Sequence, residues 1–72
     1  MEKHITSIEK NSAEEIRVAL TEFKDHQLVD LRVYATNGAS GERVPTRKGL
    51  TVKPALLAPL IEALQQAAMA LE

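Results

Sequence analysis

The chain contains no cysteine and no tryptophan, and it has one phenylalanine and one tyrosine among its 72 residues. Without cysteine, disulfide bonds and thiolate metal sites are excluded. No run of 18 consecutive apolar residues occurs, and residues 1–6 lack the apolar stretch of a signal peptide. We therefore expect an intracellular, cytoplasmic protein that does not enter a membrane.

The short chain has room for one domain only. A domain of this length buries about 60% of its unfolded surface, so it usually needs disulfides, a metal or a partner subunit. Since cysteine is absent, self-association is the expected supplement. The composition, 44% hydrophobic and 26% charged residues, is that of a folded globular domain.

Positive charge is concentrated in one segment of a chain whose net charge is −1. Residues 43–53 contain no acidic side chain and four basic ones: Arg43, Arg47, Lys48 and Lys53. A cluster of one sign attracts a partner of the opposite sign, and a phosphate backbone is the first candidate. A solvated surface run is the alternative interpretation of the same residues.

Alternating hydrophobicity predicts a β-hairpin in the first half of the chain. Within residues 15–23, Ile16, Val18 and Leu20 alternate with Arg17, Ala19 and Thr21, which is typical of a strand with one buried face. Asp25 and His26 are predicted to connect this strand to a second one over residues 28–34. The alternation places Ile16, Val18 and Leu20 together in a core. In the second strand, Val29, Leu31 and Val33 share one face.

Turn-forming residues divide the second half of the sheet. Residues 36–41 include an Asn-Gly pair and predict a long loop, after which strand pairing resumes at Glu42. Pro45 cannot donate to a ladder, so its strand is expected at an edge or at a bulge. Gly49 is predicted to mark a bend before a last short strand, residues 50–52.

The C-terminal segment has the period of an amphipathic helix, which begins at Pro54. Pro59 removes one backbone hydrogen bond, so we expect a kink there; the alternative is a separate turn over residues 54–58. The apolar surface is wider than one small sheet covers, which favours contact with a second copy. The predicted dimer interface comprises Leu57, Leu60, Ile61, Leu64 and Ala68.

These elements predict an α+β fold, a curved antiparallel sheet of four strands followed by one C-terminal amphipathic helix, assembled as a homodimer. Residues 1–13 are interpreted as an N-terminal arm or a short edge strand. Residues 14–72 form the domain proper.

Two segments in this order resemble a known family. Asp-Leu-Arg-Val-Tyr at residues 30–34 and Arg-Lys-Gly-Leu-Thr-Val at residues 47–52 follow Phe23 and Lys24 and precede the helix. Over roughly residues 15–71 the chain resembles the single-stranded-DNA-binding domain of transcriptional positive cofactor 4, also called coactivator p15. The resemblance implies a four-stranded antiparallel sheet, one helix, homodimerisation and two DNA channels related by the dimer axis.

Site residues follow from the resemblance and from the basic segment. The resemblance implies that Phe23 stacks on a base, whereas a core position is its alternative interpretation. Asp30 and Arg32 share a strand face and predict an ion pair that orients the arginine. The predicted nucleic-acid contacts are Phe23, Lys24, Arg32, Arg43, Arg47, Lys48 and Gly49.

The chain departs from the family pattern at two positions. Ala35 stands where the family has a stacking tryptophan, and His26 where a lysine often follows the first turn. One stacked base contributes about 1–3 kcal/mol to the binding free energy. Because the tryptophan is missing, we expect binding that is weaker and depends more on charge. The Ser-rich and Lys-rich tail of eukaryotic members is absent, which favours a bacterial or phage relative.

The sequence thus predicts sequence-independent binding of single-stranded DNA, with RNA or melted duplex as further ligands. The role would be coactivator-like, with contacts to transcription machinery, or one in DNA maintenance near the nucleoid. We expect no enzyme activity, metal or cofactor, because no His-Glu metal spacing or Gly-x-Ser-x-Gly turn occurs. The alternative is a homodimeric protein-interaction module that has lost nucleic-acid binding.

Overall fold

The computed structural model describes residues 2–72, which form one four-stranded antiparallel sheet followed by a single helix. The spatial order β1-β2-β3-β4 is also the chain order, so each strand pairs with its neighbours in sequence. The predicted sheet and C-terminal helix are confirmed. The elements are β1 (Lys3–Glu9), β2 (Glu14–Phe23), β3 (His26–Thr36), β4 (Arg43–Val52) and α1 (Pro54–Ala70).

The N-terminal segment forms the edge strand β1, one of its two predicted interpretations. It pairs with β2 from Lys3 opposite Leu20 to Glu9 opposite Glu15, with an irregularity after His4. All of its side chains are exposed. Met1 lies outside the described residues.

The β2–β3 hairpin closes through a two-residue turn. Phe23 pairs with His26, so the turn residues are Lys24 and Asp25, with φ of 51° and 65°. Positive φ at both central positions is the signature of a type I′ turn, whose twist matches that of the strands. The prediction that Asp25 and His26 make the connection is therefore wrong by one residue.

The β3–β4 loop spans six residues, 37–42, close to the loop that the sequence predicts. The Asn37 amide donates to the Glu42 carbonyl at 2.6 Å, and the Gly41 amide donates to the Asn37 carbonyl at 2.7 Å. The Asn37 side chain also accepts from the Ala39 amide at 2.9 Å. These bonds close the loop on itself.

Strand β4 is a single long edge strand with a bulge. Tyr34 pairs with Pro45 and Arg32 with Gly49, so residues 46–48 lie opposite Val33 alone. Pro45 thus lies at an edge and beside a bulge, as predicted. The prediction of a separate last strand over residues 50–52 is wrong, because the bulge absorbs the bend and pairing continues to the end of β4.

Helix α1 runs without interruption from Pro54 through Pro59. A separate turn over residues 54–58 is therefore wrong, whereas the kink at Pro59 stays a prediction. Pro54 occupies the first turn, where the missing amide hydrogen costs nothing. Among residues 2–72, no helix is both long enough and apolar enough to cross a membrane.

The two sheet faces differ in chemistry. Ile16 pairs with Val33 and Val18 with Leu31 on an apolar face, which confirms the predicted alternation. Side chains on the opposite, polar face include Arg17, Ala19, Asp30, Arg32 and Tyr34.

The apolar face is not closed within one chain. Val29 and Val52 are the buried hydrophobic residues among those described, and α1 buries none of its side chains. Ile16, Val18 and Leu20 of the predicted core are only half-buried, because α1 does not cover them. Large apolar side chains remain exposed at Ile5, Ile8, Leu50, Leu56, Ile61, Leu64, Met69 and Leu71.

Candidate nucleic-acid interface

An open groove of about 530 Å³ lies along the polar face. Residues of β2, β3 and β4 line this polar groove, and its walls mix apolar, hydroxyl and charged side chains. Bases stack on apolar or planar groups of this kind. Arg32 is the one basic residue among the described lining residues, beside the acidic Glu2, Glu22 and Asp30. Lining residues include Ala19, Thr21, Phe23, Leu28, Asp30, Arg32, Tyr34, Pro45 and Thr51.

Phe23 lies at the hairpin end of the polar groove. Its side chain is 63% exposed, so the alternative interpretation as a core aromatic is wrong. The Lys24 ammonium lies 5.4 Å from the centroid of the ring. Phe23 also borders a second open cleft of about 670 Å³, which extends past His26 to Pro54 at the start of α1. The ring is thus accessible to a base, with a cation beside it.

Arg32 forms the predicted ion pair with Asp30. Its Nη2 and Nε donate to the two carboxylate oxygens at 3.0 and 3.2 Å, and Nη1 donates to the Thr46 carbonyl at 3.0 Å. Hydrogen bonding to Asp30 raises the pKa of the guanidinium further. Arg32 therefore ties the bulge of β4 to β3, and its charge is already matched by a carboxylate.

Arg43 is bound to acidic side chains from two other strands. Its Nη1 donates to Glu9 at 2.5 Å and to Glu15 at 2.9 Å, and its Nη2 donates to the Ser12 carbonyl at 3.2 Å. One of the four basic residues in the segment 43–53 is thus neutralised inside the protein.

The bulge presents the other two strand cations to solvent. Thr46 Oγ1 donates to the Val33 carbonyl at 2.8 Å and accepts from the Lys48 amide at 3.1 Å, which fixes the bulge backbone. Arg47 and Lys48 are exposed. Neither forms an ion pair within residues 2–72. We call these two residues the basic bulge.

Gly49 follows the basic bulge and has a structural role. Its φ is 150°, and a Cβ added there would lie 2.3 Å from the Leu31 carbonyl oxygen. Only glycine lets β4 approach β3 this closely. Gly49 thus sets the position of the basic bulge.

Sequence reasoning missed a linked group on β2 and β3. Arg17 Nε donates to Glu15 at 2.5 Å, and the Arg17 Cζ atom lies 4.0 Å from the centroid of the Tyr34 ring. Glu15 is buried, and hydrogen bonds from Arg17 and then Arg43 lower its pKa to about 2. The signal was the hairpin register, which makes Arg17 a diagonal neighbour of Tyr34.

The two departures from the family pattern lie in different places. Ala35 pairs with Glu14 and Val44, on the apolar face and away from the polar groove. His26 pairs with Phe23 and lines the second cleft. The alanine therefore leaves the polar groove intact.

The predicted dimer residues lie along α1, which has no buried side chain among the described residues. Leu57 and Leu60 are half-buried, whereas Ile61 and Leu64 are 48% and 60% exposed and Ala68 is exposed. In the part of the chain that the structure describes, no three histidine or acidic side chains are placed to hold a metal ion.

Comparison with solved structures gives close matches. A PC4 homologue from Burkholderia pseudomallei K96243 in a tetragonal crystal form has a TM-score of 0.85 and 31% identity, covering 94% of this chain and 98% of that one. The orthorhombic crystal form of the same protein has a TM-score of 0.84 and 32% identity, covering 92% of this chain and 88% of that one. A bacteriophage T5 homologue of the eukaryotic transcription coactivator PC4 shares the fold, with a TM-score of 0.74 and 20% identity. That match covers 96% of this chain and 78% of the phage chain.

Comparison with curated protein sequences gave no match. Residues 10–63 match the family described as Transcriptional Coactivator p15 (PC4), which includes β2, β3, β4 and the first half of α1. The chain therefore belongs to the Transcriptional Coactivator p15 (PC4) family.

Proposed function

We propose that the protein binds single-stranded DNA without sequence preference. The observation that carries this proposal is the exposed Phe23 ring at the end of the polar groove, with the Lys24 ammonium beside it. An aromatic side chain that is open to solvent next to a cation is suited to a base and its phosphate. Membership of a coactivator family supports the same function.

The unpaired cations would supply most of the affinity. Arg47, Lys48 and Lys24 are exposed and form no ion pair among residues 2–72, whereas Arg32 and Arg43 are matched by carboxylates. Phosphates that replace condensed counterions at such side chains release those ions to the solvent. Binding should therefore weaken steeply as salt rises.

The functional unit would be a homodimer. One chain leaves its apolar sheet face and the leucines of α1 exposed, and monomeric proteins rarely leave a contiguous surface of this kind uncovered. A second copy would cover it through Leu57, Leu60, Ile61, Leu64 and Ala68.

The biological role would be coactivator-like or one in DNA maintenance, without catalysis and in the cytoplasm. The family description supports the first, with transcription machinery as a partner. The phage T5 homologue is implicated in recombination-dependent DNA replication, which supports considering the second.

The test is fluorescence anisotropy with a labelled oligo-dT of about 20 nucleotides and a duplex of equal length, titrated at several salt concentrations. We expect tighter binding to the single strand. Arg47→Ala with Lys48→Ala should weaken it and make the slope of log K against log salt shallower by about 1.4, at roughly 0.7 per lost phosphate contact. Phe23→Ala should cost about 1–3 kcal/mol and leave that slope unchanged.

Lys10→Ala serves as the control, because it removes one positive charge from the β1–β2 turn, where Lys10 pairs with Glu14. Affinity that survives the double substitution unchanged would contradict the phosphate-binding part of the proposal. Absence of wild-type binding at low salt would contradict the proposal entirely.

A protein-interaction module is the second candidate. The observation that favours it is the internal neutralisation of Arg32 and Arg43, which removes two of the predicted nucleic-acid contacts from the free positive surface. Absence of wild-type DNA binding in the same titration would favour this candidate.

A further inference from the structure

Arg17 is the one arginine of the polar face that neither the family resemblance nor the basic segment singled out. Its Cζ atom lies over the Tyr34 ring, 4.0 Å from the centroid. At this distance the guanidinium is in van der Waals contact with the ring and covers it. Tyr34 thus supports one side of Arg17.

Neighbouring charges hold this guanidinium in place. Arg17 Nε donates to Glu15, and Glu15 in turn accepts from Arg43, which also binds Glu9. Glu15 is only 8% exposed, so the carboxylate cannot move freely. Arg17 is therefore preorganised before any ligand arrives, and a ligand meets little loss of side-chain entropy there.

The Arg17 side chain still has an accessible surface. It is 34% exposed, and with Tyr34 it lines an open cavity of about 260 Å³. Ala19, the next residue on the same face of β2, is small and leaves room beside the guanidinium. The other lining residues are Glu2, His4 and Asp30.

The chemistry of this cavity fits a planar ring better than a phosphate. Glu15 already balances the charge of Arg17, so attraction for an anion is weakened. A guanidinium plane, in contrast, stacks on unstacked bases as an aromatic ring does. We propose that Arg17, supported by Tyr34, is a second stacking site for a nucleobase; this rests on the proposed binding of single-stranded DNA.

The spacing along β2 places the two stacking sites at separate points of the polar face. Phe23 and Arg17 lie six residues apart on the same side of the strand, about 20 Å at about 3.4 Å per residue. At about 3.4 Å per stacked nucleotide, about six nucleotide steps cover this distance, so a stacked strand that occupies both sites has about seven nucleotides. Both sites thus lie within the reach of one short strand.

The test compares Arg17→Lys with wild type on two labelled probes of about 20 nucleotides, oligo-dA and a fully abasic oligonucleotide with the same phosphates. Lysine keeps the charge and removes the planar group. We expect Arg17→Lys to weaken oligo-dA binding at least about fivefold and to leave abasic binding and the salt slope unchanged.

Lys10→Arg is the matched control, a charge-preserving exchange in the β1–β2 turn. Tyr34→Leu is the second variant and should reproduce the selective loss on oligo-dA, since it removes the support. Circular dichroism checks that each variant remains folded. If Arg17→Lys does not fold, the comparison of Tyr34→Leu with wild type on the two probes tests the proposal instead.

Two results would overturn the inference alone: equal binding of oligo-dA by wild type and Arg17→Lys, or an equal loss on both probes. The second would mean that Arg17 acts only through charge or structure. If wild type binds neither probe at low salt, the proposed function fails together with the inference. Wild-type binding therefore separates the two failures.

Discussion

The absence of one side chain determines how β4 lies on β3. Gly49 has no Cβ, and its α-carbon approaches the β3 backbone so closely that a methyl group would overlap the Leu31 carbonyl oxygen. The residues of the Arg-Lys-Gly pattern therefore contribute to the proposed binding surface in two different ways. Arg47 and Lys48 supply charge, and Gly49 supplies the backbone geometry that presents them.

Replacing Gly49 by alanine should destabilise the protein by at least about 2 kcal/mol, because the new methyl adds a steric clash to a φ that disfavours any Cβ. Urea denaturation followed by circular dichroism measures the difference. The control is Gly38→Ala in the β3–β4 loop, where an added Cβ meets nothing within 4 Å. Equal stability of the two variants would contradict this account of Gly49.

At this scale, the sequence identified residue types better than their partners. The Asp30–Arg32 ion pair was predictable because the two residues are two positions apart on one strand and therefore share a face. The partners of Arg43 were not, because Glu9 and Glu15 are 34 and 28 residues away. Exposure of Phe23 likewise required the structure, since a strand end is equally compatible with a core.

One ion network joins three of the four strands. Arg43 of β4 forms ion pairs with Glu9 of β1 and Glu15 of β2. Its side chain therefore reaches across β3, which lies between β4 and β2. The two glutamates lie opposite each other in the ladder and would repel without the guanidinium between them. The network thus holds the ends of the strands in register.

Acid should weaken the sheet through Glu15. Its folded-state pKa of about 2 lies below the ordinary 4.5, so the folded state binds the proton less readily than the unfolded state. The stabilisation is therefore fully present above about pH 5 and is lost as pH falls from there towards 2. Urea denaturation at several pH values should show this decline in the free energy of unfolding.

Glu15→Gln should flatten that pH dependence and lower stability at neutral pH. Glu42→Gln is the control, because Glu42 is exposed in the β3–β4 loop and forms no ion pair among the described residues. A decline between pH 5 and 2 that is as steep in Glu15→Gln as in wild type would show that other carboxylates cause it.

The strands and the helix were largely predictable because periodicity reports burial on one face. The errors have local causes. The I′ turn is one residue earlier than expected, because Lys24 and Asp25 adopt positive φ without glycine. The bulge was taken for a strand break, because a sequence shows proline and glycine but not continued pairing. Strand β1 has no buried side chain, so its alternation is weak.

The molecule as a whole is a thin layer, with extents of 40, 39 and 18 Å. Its apolar sheet face and α1 remain uncovered, and only two hydrophobic side chains are buried among the described residues. A chain of this size gains little net stability from so small a core. The folded state should therefore depend on the proposed second copy.

Size-exclusion chromatography with light scattering should give twice the chain mass of 7.9 kDa. Leu64→Glu should raise the dimer dissociation constant at least about a hundredfold, because both copies lose an apolar contact of about 1.5–3 kcal/mol. Gln65→Glu adds the same charge at the next helical position, on the polar edge, and should remain dimeric. A monomeric wild type at micromolar concentration would contradict the dimer.

The scarcity of aromatic residues has a practical consequence. Tyr34 is the only tyrosine and tryptophan is absent, so the ultraviolet emission of the chain comes almost entirely from the ring beneath Arg17. A change in the position of the guanidinium alters the surroundings of that single fluorophore. The wild-type protein therefore reports optically on its own polar face without a label.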